Sequence, residues 1–445
     1  MSKRILLIGA GLSTTHLIEY LAEQGKKHNW TITIADNNET LAKSKAVFTN
    51  TNAIKLDIND FEKTEDLISN HNIVISMLPP ALHINVAKIC LKKNKNLLTA
   101  SYLTDEMKAL DSEIKQKGLI FLNEIGLDPG IDHLTAMSII NRLKAEGYYI
   151  REFESFTGGL VAPENDDNPW HYKFTWNPRN VVLAGQGGAV KFLQEGQIKY
   201  IPYHKIFRRT EVIEIDNYGK FEGYANRDSL KYINTYGLHD IKTMFRGTLR
   251  RPGFCKAWDV FVSLGATDDS YIIENSENMT YREFINTFLA YHPTDSVEIK
   301  LKYYLHIDQD DQELWDRLEW LDIFKPIKIG IKNATPAQIL QSILEKKWSI
   351  SYEEKDMIVM WHKFVYYKNE IRNELHSSVV VKGENMLHTS MSKTVGLPLG
   401  IATKLILQDK IKSRGALIPI LPEFYLPIIN ELKNYGVNCI EKQII

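Results

Sequence analysis

The chain has 445 residues, 44% apolar and 24% charged, an ordinary globular composition with room for two or three domains. Its formal net charge is -1 and its basic residues are dispersed, so no nucleic acid and no anionic membrane is expected as a partner, and a small molecule is. Cys90, Cys255 and Cys439 lie far apart with no CxxC pair, which argues against a disulfide framework or a zinc site and makes each a small core hydrophobe.

From residue 3, apolar runs at 5–8, 30–35, 53–56, 73–76, 97–100 and 119–122 alternate with amphipathic stretches at 17–21, 41–46, 61–68, 82–91 and 107–114. Six strands separated by helices predict an α/β fold with a doubly wound parallel sheet, the Rossmann arrangement. A helix is expected from Pro129, capped by Asp128, with Ile131, Leu134, Met137, Ile140 and Leu143 on one face up to Gly147. Residues 150–260 are rich in Gly, aromatic and β-branched residues and read as a mixed or mainly β sheet. From 280 to about 347 the pattern turns helical, with Ile339, Leu340, Ile343 and Leu344 sharing a face. Strand-like runs return at 357–360 and 377–381, then a helix through 403–407. The expected domains are a dinucleotide-binding domain over 1–128 with a C-terminal return near 388–410, an α/β substrate domain over 129–275 and 350–445, and a helical subdomain over 276–349. No segment approaches the roughly 18 apolar residues of a membrane span, and the N-terminus enters a strand directly, so a cytoplasmic location is expected.

The first strand runs into Gly9-Ala10-Gly11-Leu12-Ser13-Thr14, a glycine turn before a helix in which Thr14 stands at the third glycine position of the dinucleotide fingerprint. Such glycines let the backbone approach a pyrophosphate, whose charge meets the N-terminus of the next helix. Asp36, at the end of the second strand, suits the hydroxyls of an adenosine ribose, whereas a 2′-phosphate would meet a like charge worth up to about 4 kcal/mol at 4 Å. NAD is therefore expected over NADP; the bland alternative is that Asp36 only opens an Asp-Asn-Asn turn.

Four further stretches stand in order: NEIGLDPGIDHL at 123–134, GGLVAPENDDNPWHYKFTW at 158–176, YANRDS at 224–229 and FRGTLRRPGF at 245–254. Together they resemble the saccharopine reductases, the glutamate-forming saccharopine dehydrogenases, and the similarity spans nearly the whole chain. The resemblance implies a Rossmann domain, an α/β substrate and dimerisation domain and a small helical domain, a homodimer, and interconversion of saccharopine with L-glutamate and 2-aminoadipate 6-semialdehyde through an imine. It places cofactor contacts on Gly11, Leu12, Ser13 and Thr14, on Asp57 and Ile58, on Leu78, on Ala100 and Ser101, and on Leu127 to Gly130, Pro129 included; Gly9 joins them from the glycine turn itself. It places saccharopine contacts on Ser101, Tyr102, Asp128, Arg227, Thr248, Leu249 and Arg250. Two departures from the fungal members stand out: Asp36-Asn37 where they carry Cys-Arg, and Pro79-Pro80 where they carry Pro-Tyr. The first puts the family's usual NADPH preference in doubt.

Saccharopine carries three carboxylates, so its site calls for cations in fork geometry, which Arg227 and Arg250 supply. Asp128 is expected to contact the substrate amine or its carboxylate surroundings, and Tyr102 to hold a carboxylate or relay a proton; these two are the catalytic candidates. Asp132 and His133 read as cap partners or packed polar groups, His83 and His171 as satisfied packing, and Lys173 either as a proton donor or as a snorkelling lysine. No Ser/His/Asp arrangement or HExxH stretch appears, so neither a bound metal nor hydrolytic chemistry is expected. Two rival functions remain: an imine reductase of the carboxynorspermidine synthase type, whose dicationic amine would want acidic residues where the arginines stand, and an idle NAD-binding scaffold.

Overall fold

The computed structural model describes every residue except Met1, Gly185 and Gly187. The chain divides into two units: Met1–Tyr149, Lys368–Ile371 and Val379–Lys442 form the first, and Ile150–Tyr367, Arg372–Ser378 and Gln443–Ile445 the second.

The first unit is built on strands β1 (Lys3–Ile8), β2 (Trp30–Asp36), β3 (Thr51–Lys55), β4 (Ile73–Ser76), β5 (Asn96–Leu98) and β6 (Ile120–Leu122). All pair in parallel in the order β3-β2-β1-β4-β5-β6, as expected. Helices cover both faces of such a sheet, which is why its strands read as continuous apolar runs; Ile5, Leu6, Leu7, Ile32, Ile34, Ile73, Val74 and Ile75 are wholly buried. Chain order reverses between β1 and β4, and ligands of open α/β sheets bind beyond the carboxyl ends of the strands at such a switch point. A seventh strand, Gly415–Leu417, pairs in parallel with β6. The helix Ser390–Leu407 lies against the helix Thr15–His28, close enough that a Cβ on Gly396 would sit 2.8 Å from the Leu17 nitrogen. The helical stretch expected over 107–114 is two short helices, Asp105–Ala109 and Asp111–Gln116.

The second unit holds a mixed sheet. Thr210–Ile215 pairs antiparallel with Gly219–Ala225, which pairs antiparallel with Thr243–Arg250, which pairs in parallel with Tyr149–Val161. Asp356–Lys368 and Ile371–Lys382 continue the order. Trp170, Tyr172, Phe254, Trp258, Phe261 and Trp348 form a buried aromatic cluster with ring centroids 5.1–6.0 Å apart in its close pairs. The helix Pro336–Trp348 buries Ile339, Leu340, Ile343 and Leu344, the face read from the sequence. No helix among the described residues is long and apolar enough to cross a membrane.

Candidate active site

The turn after β1 distinguishes its two glycines. Gly9 has φ +103°, and a Cβ there would meet the Met77 carbonyl at 2.7 Å, so the turn and the neighbouring strand end both demand glycine. An added Cβ on Gly11 would have no atom within 4 Å, so nothing in the fold requires glycine at that position. The space beside it is what a phosphate needs for close approach. Thr14, in place of a third glycine, is buried and donates its hydroxyl to the Gly11 carbonyl at 2.8 Å, closing the turn that starts the helix Thr15–His28. Leu12 is exposed and Ser13 half-buried at the same edge.

Asp36 is tied to this turn. One carboxylate oxygen accepts the Ala10 N–H and the other the Asn38 N–H, both at 2.8 Å. Its Asp-Asn-Asn turn and its place beside the glycines thus coexist. Asp57 and Ile58 follow β3, Leu78 follows β4, and Ala100, Ser101 and Tyr102 follow β5, the last four half-buried. The open flank of Gly11, the helix N-terminus and the carboxylate at the end of β2 fit an adenine dinucleotide.

Beyond β6 the structure corrects one expectation. Asp128 does not cap the next helix and Pro129 does not begin it: the helix is Ile131–Ala145, with Gly130 at its N-cap at φ 148°. The Asp128–Pro129 bond is cis. Residues 126–130 fold back on themselves, so the Ile131 and Asp132 N–H groups are taken by the carbonyls of Gly126 at 2.9 Å and Leu127 at 3.1 Å. Asp132 accepts the Gly130 N–H at 2.5 Å. Two of the first-turn donors are thus met by loop carbonyls. Asp128 sits half-buried on the loop.

Buried Glu124, at φ 57°, fastens the neighbouring β5 loop. Its N–H donates to the Ser101 carbonyl at 3.0 Å, one carboxylate oxygen accepts the Leu103 N–H at 2.9 Å, and the other lies 2.7 Å from His133 Nε2. Tyr102 is therefore held between two residues that Glu124 grips. His83 is also buried, between the Ser76 and Ser101 hydroxyls. Asp132 and His133 are the packed polar partners read from the sequence, and so is His83. The grip of Glu124 was not foreseen: Ser101 and Leu103 lie some twenty residues upstream, and although His133 stands in the same stretch 123–134, nothing in the spacing pairs the two.

In the second unit, Thr248 and Arg250 share one face of the strand Thr243–Arg250, and Leu249 faces the other way, packed over Gly158. Arg250 is 5% exposed. Its guanidinium lies 5.0 Å from the ring centroid of Tyr172, 5.3 Å from Phe254 and 5.9 Å from Tyr224. Nη1 donates to the Leu249 carbonyl at 2.8 Å, and Nε has no partner. Glu222 is directly opposite in register, yet its carboxylate accepts the N–H groups of Gly253 at 2.6 Å and Cys255 at 3.1 Å. Among the described residues no carboxylate stands against this buried cation, and a buried charge of this kind is costly without a counter-ion. Arg227 is exposed on a turn with φ 54°. Lys173 is buried in ion pairs with Glu354 and with Asp167, the latter at 2.9 Å, which accounts for it without a catalytic role. His171 lies 3.0 Å from Asp166. Among the described residues, no three His, Cys, Asp or Glu side chains are grouped to hold a metal ion.

Two family models match, the saccharopine dehydrogenase NADP binding domain over residues 5–122 and the saccharopine dehydrogenase C-terminal domain over residues 126–437. The chain belongs to the saccharopine dehydrogenase family. It is 32% identical to the saccharopine dehydrogenase [NADP(+), L-glutamate-forming] of Saccharomyces cerevisiae, with 100% of both chains covered. The mitochondrial alpha-aminoadipic semialdehyde synthase of Mus musculus is 32% identical over 98% of this chain and 47% of that longer protein. The solved structure of apo saccharopine dehydrogenase (L-Glu forming) from Saccharomyces cerevisiae superposes with a TM-score of 0.91 at 31% identity, covering all of both chains. A nicotinamide cofactor is thus the group that the first unit of this family member serves.

Proposed function

We propose that the protein oxidises saccharopine to L-glutamate and 2-aminoadipate 6-semialdehyde, with NAD preferred. The observation that carries this reading is Arg250, a guanidinium sealed among three aromatic rings with no acidic side chain against it among the described residues. A substrate with several carboxylates supplies what the protein leaves out. An imine reductase acting on a diamine would need the opposite charge there.

Gly9 to Thr14 and Asp36 hold the dinucleotide, aided by Asp57, Ile58, Leu78, Ala100, Ser101, Leu127, Pro129 and Gly130. The proposed saccharopine contacts are Ser101, Tyr102, Asp128, Arg227, Thr248, Leu249 and Arg250. When bound, the nicotinamide supplies the hydride acceptor for the carbon beside the secondary amine. Asp128 offsets the positive charge of that amine, and Tyr102 holds a carboxylate or passes a proton as water adds to the imine carbon. Cleavage of the carbon–nitrogen bond then releases glutamate and the aldehyde. The work of the remaining residues is positioning.

The NAD preference rests on Asp36, whose carboxylate is anchored at the glycine turn where a 2′-phosphate would meet it. The matching family model is named for NADP binding and the yeast relative carries an NADP(+) designation, so the preference for NAD rests on Asp36 against both names. With NAD as acceptor the oxidative direction, and hence lysine breakdown, is favoured. The test is incubation with saccharopine and each oxidised cofactor in turn, following absorbance of the reduced form and assaying glutamate. Cofactor reduction without glutamate, or no reduction with either cofactor, overturns the reading, and equal use of both overturns the preference.

A further inference from the structure

Ser101 is pinned by its backbone on both sides. Its N–H donates to the Thr99 hydroxyl at 3.2 Å and its carbonyl accepts the Glu124 N–H at 3.0 Å. What remains free to turn is the hydroxyl, which has three staggered wells. Its oxygen lies 2.7 Å from Nε2 of His83, and Nδ1 of the same ring lies 2.8 Å from the hydroxyl of Ser76, the last residue of β4. The Thr99 hydroxyl lies 3.3 Å from Nε2 as well. His83 is 5% exposed and opens the helix His83–Lys92, so the ring is fixed by packing and by both nitrogens.

We propose that His83 is a positioning residue that sets the direction of the Ser101 hydroxyl toward bound ligand and acts on the reaction only through Ser101. The proposal rests on Ser101 being a ligand contact, as in the function proposed above. Burial holds the His83 pKa down at about 4, so at neutral pH the ring offers one N–H and one lone pair and no charge. That suits a fixed hydrogen-bond partner. A general base would be tuned nearer the working pH.

The two amide replacements separate the ring's two contacts. Glutamine places its amide where Nε2 lies and can still reach Ser101; asparagine places its amide where Nδ1 lies and reaches only Ser76. We expect His83→Asn to lower kcat/KM for saccharopine about tenfold, the effect of about one hydrogen bond, and His83→Gln to stay within about threefold of the parent. Combined with Ser101→Ala, His83→Asn should add nothing. An equal loss in both backgrounds overturns the proposal, as does a His83→Gln pH–rate profile that has lost a limb, since that would make the ring an acid or base. If the parent protein forms no glutamate from saccharopine, the proposed function falls, but the crystal structures of the two variants still decide this inference. A Ser101 hydroxyl displaced by asparagine and restored by glutamine supports it, and one that stays put in His83→Asn overturns it.

Discussion

Replacing Arg250 with methionine keeps the unbranched stem among the rings of Tyr172, Tyr224 and Phe254 and removes the guanidinium. In the free protein two large effects oppose each other. Three cation–π contacts, at about 0.5–2 kcal/mol each, are lost, while the desolvation cost of a buried ion, several kcal/mol, is relieved. We expect the stability without substrate to lie within about 2 kcal/mol of the parent. Substrate binding has no such offset. A carboxylate gripped by two charge-assisted hydrogen bonds at about 1.5–3 kcal/mol each loses about 3–6 kcal/mol, so kcat/KM for saccharopine should fall by about two to four powers of ten. Initial rates across saccharopine concentrations measure the loss. Thermal unfolding with and without saccharopine shows that the fold survives and that the ligand no longer protects it, and the cofactor dissociation constant should be unchanged. A folded variant whose saccharopine KM stays within about threefold of the parent would refute the reasoning. Arg250→Lys keeps the charge but loses the fork and should fall between the two.

Three other outcomes follow from the geometry. Gly11→Ala should leave the thermal midpoint in place and weaken cofactor binding about tenfold, whereas Gly9→Ala should destabilise the fold itself by about 1–3 kcal/mol, seen in denaturant titrations; the reverse pattern would mean the turn is misassigned. Asp36→Asn removes the charge facing a 2′-phosphate, worth about 1–4 kcal/mol, so the NADP to NAD ratio of kcat/KM should rise about tenfold or more, and an unmoved ratio would count against Asp36 as the discriminator. His16 and His83 both have a pKa lowered from 6.5 to about 4 by burial, His16 further by the nearby charges of Lys393, His388 and Lys45. Their neutral burial stabilises the fold fully above pH 6.5, and that contribution, up to about 3 kcal/mol each, is lost as pH falls from 6.5 toward about 4. Thermal midpoints measured across that window should drop for the parent and drop less for His83→Gln.

The strands β1 to β6 were readable because a parallel sheet covered on both faces writes itself as short apolar runs. Gly415–Leu417 was not, since three residues carry no period and only the neighbouring edge of β6 makes them a strand. The Asp-Pro pair before an apolar helix reads locally as a cap and first turn. The error there arises because backbone carbonyls at Gly126 and Leu127, brought round by the loop, had already taken the donors. Arg250 could be singled out only through its motif. Its burial depends on Tyr172, Tyr224 and Phe254, rings from three separate stretches that nothing in their spacing connects. Glu124 and the histidines are similar: their chemistry was visible in the sequence, and their partners were set by which loops leave the same edge of the sheet.

The placing of Gly415–Leu417 beside β6, with Ser390–Leu407 against the helix Thr15–His28, bears on how the polypeptide matures. A growing chain that has emerged only as far as Tyr149 has made six strands but lacks the pieces that seal one border and one face. The nucleotide-binding half must therefore wait, partly unsealed, until the chain as far as Leu417 has left the ribosome. A nonsense codon anywhere before Ser390 would leave sticky apolar surface for chaperones to hold, rather than a smaller working protein.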